Sequence, residues 1–193
     1  MRYMFALTFI ATALSACGGG GGDSSTETSG KAVATSVAQI AGTYVLPCKG
    51  EDFRGSSTLD GATSDSETAT IVITPDPATG NATISAHLKY YRNSANCDAS
   101  TLDTDLTFLG TATDKAGSKN YTNAAGKPVT AKIATVVYTG LTLSKGNLEF
   151  SLPTPGATTS MAYVLENNTL YLSKGHREAD GLGDALTPGA VKQ

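Results

Sequence analysis

The sequence predicts an all-β domain, and three observations carry that prediction. Short runs rich in Val, Ile, Thr and Tyr recur between clusters of Gly, Pro, Asn and Asp, which is strand and turn chemistry. In the clearest run, "ATISAHLKYYR", Ile84, Ala86, Leu88 and Tyr90 alternate with Ser85, His87, Lys89 and Tyr91, the period of two expected of a strand with one buried face. No stretch offers a capped amphipathic helix of about ten residues or more. The count is about eight strands in roughly 135 residues, enough for one domain with a real core and too few for two. An antiparallel barrel and a β-sandwich both accommodate that count.

At the start of the chain, Arg2 supplies a positive region and residues 4–14 an apolar one of the length a secretory signal uses. It is shorter than the roughly 20 apolar residues that a membrane-crossing helix needs. Leu14-Ser15-Ala16-Cys17 follows and resembles the lipobox of bacterial lipoproteins, with a leucine and two small residues ahead of the cysteine. The resemblance implies removal of residues 1–16, a diacylglyceryl thioether on Cys17 and acylation of its new amine. A single acyl chain binds marginally at about 0.8 kcal/mol per buried CH₂, whereas two or three anchor stably in the bilayer. Residues 17–36 are then the lipidated cysteine and its tether. Five glycines and "DSSTETSGKAVATS" hold almost no apolar mass, so they are expected to behave as flexible coil with a reach of roughly 25 Å. Gly18, not aspartate, follows the cysteine, and the resemblance therefore implies an outer-membrane anchor facing the periplasm or the cell surface.

The β domain is expected over residues 37–173. Residues 40–46 open it as a strand, with Gly42 inside and Pro47 closing it. Residues 48–67 are polar and glycine-bearing, a long loop, and 70–74 form a strand ended by "PDPATGN". After "ATISAHLKYYR", the positions Leu106, Phe108 and Gly110 mark another strand, followed by a flexible "DKAGSKNYTNAAGKP". Residues 129–142 give one long strand or two. "LTLSKGNLEFSLP" reads as two strands around Lys145-Gly146, and "MAYVLENNTLYLS" as two around Asn167-Asn168, which tolerate the positive φ of a tight hairpin. Residues 174–193 lack apolar periodicity and are expected to form a disordered tail or a loosely packed extension.

A second resemblance selects the barrel. "QIAGTYVL", with Gly42 two residues before Tyr44, is similar to the opening Gly-x-Trp of lipocalin-type calycin barrels, with tyrosine in the tryptophan's place. "YVLENNTLYLS" is similar to the closing hairpin of small lipocalin-like bacterial lipoproteins. What this implies is a single closed antiparallel barrel, Tyr44 plugging its closed end beside Gly42, and a small apolar ligand in its mouth.

With Cys17 assigned to lipid, Cys48 and Cys97 remain as one pair in an exported chain, where such pairs are oxidised. No Cys-x-x-Cys is present and His87 and His176 stand far apart, so no metal is expected. Asp98, Asp103 and Asp105 lack the order of a calcium loop and form a solvated acidic segment. His87 falls on the solvent side of its strand. No serine stands in Gly-x-Ser-x-Gly or Ser-x-x-Lys, so a noncatalytic, cofactor-free domain is expected. Tyr90, Tyr91 and Arg92 form an aromatic-plus-cation patch suited to a ligand or partner contact. A net charge of −3, one unit more negative once Arg2 is removed, argues against a nucleic-acid partner. The leading function is thus a lipid-anchored binding barrel. The alternative is a protein-binding module, an inhibitor or envelope assembly partner, that uses loops 49–67 and 114–128.

Replacing Cys17 by alanine is expected to abolish palmitate labelling and move the protein from the detergent phase to the aqueous phase. Unchanged detergent partitioning of that variant overturns the anchor.

Overall fold

The fold is read from a computed structural model, which describes residues 36–49, 65–123, 126–146, 154–177 and 179–193. The lipobox and residues 17–35 of the tether lie outside the described residues. Nine strands follow a 3₁₀ turn, Val37–Ile40: β1 Gly42–Lys49, β2 Ser66–Pro75, β3 Ala82–Tyr91, β4 Leu102–Thr122, β5 Pro128–Lys145, β6 Thr158–Glu166, β7 Thr169–Arg177, β8 Gly183–Leu186 and β9 Ala190–Lys192. A second 3₁₀ turn, Ala99–Thr101, precedes β4. Strands β1 to β7 pair antiparallel in sequence order, and β9 pairs with both β7 and β1. The result is a closed antiparallel barrel of eight strands, with β8 attached to β7 as a ninth.

Alternation decides what lies inside. Tyr44 and Leu46 on β1, Ala69, Ile71 and Ile73 on β2, and Ile84 and Ala86 on β3 are buried in one core. Across the barrel, Ala112, Val136, Tyr163, Leu170, Leu172 and Ala190 complete it. Fully burying each large aliphatic side chain contributes about 1.5–3 kcal/mol, which fixes the register because a slip by one residue would turn the whole set outward. A smaller core lies on the outer side of β6, where Ala162 and Val164 meet Tyr121, Val129 and Ala131 of the β4–β5 arm and Leu182 and Leu186 of the β8 segment. The Tyr121 hydroxyl donates to the Gly183 carbonyl at 3.0 Å, tying arm to segment.

The stretch 174–193 is not a disordered tail. It supplies β8 and β9, with Leu182, Leu186 and Ala190 buried. Strands of four and three residues are too short to show a period, and their stability comes from pairing rather than from propensity. The expected flexible stretch 114–128 is strand up to Thr122, and its residues 124–125 lie outside the described residues. β4 runs through it to Thr122, passing a bulge between Lys115 and Ser118 where Gly117 adopts φ +106°, and then pairs Lys119 with Ala131 and Tyr121 with Val129. Cross-strand pairing there overrides poor strand formers. The first strand begins at Gly42, because Ile40 belongs to the 3₁₀ turn. Lys49 and Ser66 extend β1 and β2 into the expected 48–67 loop, of which 50–64 lie outside the described residues. The β6–β7 hairpin turns at Asn167-Asn168, both at positive φ. β5 ends at Lys145, and 147–153, the expected strand after Gly146, lie outside the described residues.

One end of the barrel is plugged. The Val37 N–H donates to both carboxylate oxygens of Asp114, at 3.0 and 3.1 Å, and the Tyr163 hydroxyl donates to the same group at 2.6 Å. The Tyr44 hydroxyl donates to the Ile40 carbonyl at 2.7 Å. Gly42, at φ +148°, makes the adjoining crossing possible, since a Cβ there would lie 2.5 Å from Lys192 Cε. Lys192 Nζ donates to the Ala41 carbonyl at 2.6 Å and sits 5.8 Å from the centre of the Tyr44 ring. A disulfide joins Cys48, near the end of β1, to Cys97 in the β3–β4 connection, with Cα atoms 5.8 Å apart.

Two outcomes are expected from this plug. Tyr44→Ala removes a fully buried ring and costs about 3–5 kcal/mol in denaturant melts; a loss within about 0.5 kcal/mol, as for a surface change, overturns its role as the plug. Burial first, then the hydrogen bond and charge of Asp114, push the Tyr163 hydroxyl well above its ordinary pKa, and burial raises that of Tyr44. The unfolded chain therefore loses these protons first, and stability falls as pH rises past about 10. Tyr163→Phe should reduce that alkaline slope, read from melts between pH 9 and pH 11 (about one unit either side of the free tyrosine value); an unchanged slope contradicts the assignment.

Candidate functional site

The barrel holds a partly open cavity of about 220 Å³. Its position follows from the strands. The cavity residue Phe108 precedes the plug residue Asp114 on β4, and Thr159 and Met161 precede Tyr163 on β6, so the cavity lies away from the plugged end. On one side, Ile71, Ala86 and Phe108 stand side by side in register across β2, β3 and β4. Ala86 is the small member of that row, and its missing volume opens the space. Ile84, Leu88 and Val136 extend the apolar wall. The Phe108 and Tyr138 rings meet edge to face, 6.0 Å apart at 69°, an arrangement that the quadrupoles of two aromatic rings favour.

The polar lining comes from β6 and β7, as Thr159, Ser160, Ser173 and Lys174. These two strands part there. Their ladder ends at Tyr163 opposite Leu172, and the Ala162 N–H donates to the Ser173 hydroxyl at 3.0 Å. β7 then turns to β8, pairing Ser173 with Leu186 and Lys174 with Ala185.

The residues singled out in the sequence fall elsewhere. Tyr90 and Tyr91 are both buried, so Tyr91 does not face solvent as the alternation predicted. The two rings lie at a bulge of the neighbouring strand: Tyr90 pairs with Thr104 and Tyr91 with Leu102, so that Asp103 of β4 is skipped. The Tyr90 hydroxyl donates to Asp65, whose other oxygen accepts from the Asn93 N–H at 2.7 Å. Arg92 is exposed, its Nε 3.5 Å from Asp103. Tyr90, Tyr91 and Arg92 do not form one exposed patch, and none of them lines the cavity.

His87 lies half-exposed on the outer face with Nε2 2.8 Å from Asp105 Oδ1, so the pair forms a surface contact across β3 and β4. The Asp98 carboxylate accepts from the Ser100 N–H at 2.9 Å and the Ser100 hydroxyl at 2.8 Å, bonds that hold its pKa below the usual carboxylate value. It thereby caps the turn Ala99–Thr101. Among the described residues no group of three His, Cys, Asp or Glu side chains could hold a metal ion.

The lining residues Tyr138, Met161 and Lys174 were not singled out in the sequence and Phe108 only as a strand position, although the alternation through Ile84, Ala86 and Leu88 marks one wall correctly. No family model matches the chain, nor does any curated protein or solved structure.

Proposed function

We propose that this protein is a lipid-anchored bacterial envelope protein whose noncatalytic, calycin-like barrel holds a small apolar ligand. The cavity is the observation that carries the reading. Eight strands leave room for side chains or for one small molecule, and in this barrel Ala86 leaves that room open. An apolar cavity of about 150 Å³ stays dry and accepts benzene; by that scale about 220 Å³ accommodates a ligand of roughly nine carbon atoms. The lipobox resemblance supports the anchor, and the pairing of Cys48 with Cys97 is consistent with an oxidising compartment.

Titration calorimetry of nonan-1-ol into the purified chain tests the reading. Binding is expected, and Ala86→Phe, which fills the cavity, should weaken it by about tenfold or more while the thermal midpoint is kept. Ala86→Leu serves the same purpose where the larger ring does not fit. Equal affinity in wild type and a folded variant, or no binding to wild type, overturns the ligand reading.

A further inference from the structure

Charge is unevenly distributed along the chain. Residues 115–148 carry five lysines and no carboxylate, in a chain whose net charge is −3. Four of the five, Lys115, Lys119, Lys127 and Lys132, belong to the arm that β4 and β5 form beyond the plug residue Asp114. Ala112 is the last β4 residue paired with β3, and from there β4 pairs with β5 alone as far as Thr122. One face of the arm, Tyr121, Val129 and Ala131, is buried in the outer core, and the alternate positions Asn120, Thr130 and Lys132 are exposed. Lys115, at the bulge, and Lys127, in the turn that joins the two strands, are exposed as well. Two carboxylates beside the arm are committed, Asp180 to Lys119 at 3.0 Å and Asp114 to Val37 and Tyr163. Asp76 and Glu166 lie at the β2–β3 and β6–β7 turns of the same end, outside the arm. The positive surplus thus belongs to the arm and not to the whole rim.

We propose that this arm docks the domain on an anionic lipid surface. The proposal rests on the lipid-anchor reading above. The chain enters the barrel at the base of the arm, because the Val37 N–H is bonded to Asp114, the residue before Lys115. Cys17 stands 20 residues before Val37. A link of that length spans at most about 70 Å, and tethering sets a local concentration on the order of millimolar, so a contact too weak to hold a free domain is occupied. Each lysine close to an anionic surface strengthens such a contact about fivefold, and the effect fades over a Debye length of about 10 Å at 0.1 M salt. The acidic remainder of the chain is repelled by the same surface, which leaves the arm as the face turned towards it. A bilayer surface demands no shape match, only exposed cations held together, and two paired strands hold them.

The test takes the chain from residue 17, which keeps the whole described domain, and couples it to maleimide-bearing lipid in vesicles of phosphatidylglycerol or of phosphatidylcholine. With Cys48 and Cys97 bridged, Cys17 supplies the thiol. The link is made chemically, so the outcome does not depend on acylation in the cell, and the Cys17→Ala labelling experiment judges the anchor separately. Acetylation of each lysine is followed by mass spectrometry. Lys115, Lys127 and Lys132 are expected to react about fivefold more slowly on phosphatidylglycerol than on phosphatidylcholine, and to recover in about 1 M salt, where the Debye length is about 3 Å. Lys89 and Lys145, near the ends of β3 and β5 remote from the arm, should react alike on both lipids. Equal rates for the arm lysines on the two lipids, or the same slowing at Lys89 and Lys145, overturns the docking and leaves these lysines as guards of the unpaired β4 edge. Slowing that persists in high salt overturns the electrostatic contact.

Discussion

The side chain of Lys192 crosses the backbone of Gly42, and closure of the barrel depends on that crossing. β9 has three residues, yet it must pair with β1 on one side, through Tyr44 and Val45, and with β7 on the other, through Thr169 and Leu170. Two rungs per side are a weak ladder alone. The Lys192 ammonium strengthens it by bonding the Ala41 carbonyl and lying over the Tyr44 ring, while the backbone N–H groups of Lys192 and Gln193 donate to Asn168 and Thr43. A side chain at residue 42 would occupy that path. Without β9, β1 and β7 would each present an unpaired edge, the condition that sheet proteins avoid because it templates association with other chains.

The two halves of the barrel divide the work. Towards the plug, Asp114 accepts from both the 3₁₀ turn and Tyr163, and Tyr44 reaches back to Ile40, so polar groups in this dense end are satisfied by short, local bonds. Further along the strands the row of Ile71, Ala86 and Phe108 leaves space, and the wall loosens where β7 leaves β6 for β8. The outer core under β8 explains why such a break is tolerated. Leu182 and Leu186 bury apolar surface in one cluster with Ala162 and Val164, beside the place where β7 leaves β6 for β8.

What the sequence revealed and what it concealed have separate physical origins. Features set by neighbours along the chain were legible: the alternation through Ile84, Ala86 and Leu88, the positive-φ pair Asn167-Asn168, and the Gly42-x-Tyr44 spacing that marks a buried ring. Cys48 and Cys97 were legible as the two cysteines left once Cys17 was set aside. Features set by pairing were not. β9 is too short to show a period, β4 continues through glycine and asparagine because β5 lies beside it, and Tyr91 is buried although alternation alone puts it on the solvent side. The cavity belongs to this second group. Ala86 looks like any small strand residue until register sets it between Ile71 and Phe108.

The energetics of that cavity bear on its use. A sealed apolar void costs about 24 cal/mol per Å³, but this cavity is partly open and has polar residues in its lining, so water can enter it and the cost is smaller. Linking residues 49 apart in sequence lowers the entropy of the unfolded chain by at most about 4 kcal/mol at room temperature. Substituting a larger aliphatic residue at Ala86 would narrow the cavity. Alanine at position 86, near the Phe108–Tyr138 ring pair, leaves cavity-lining groups short of packing partners, and a larger side chain there would recover part of that dispersion contact.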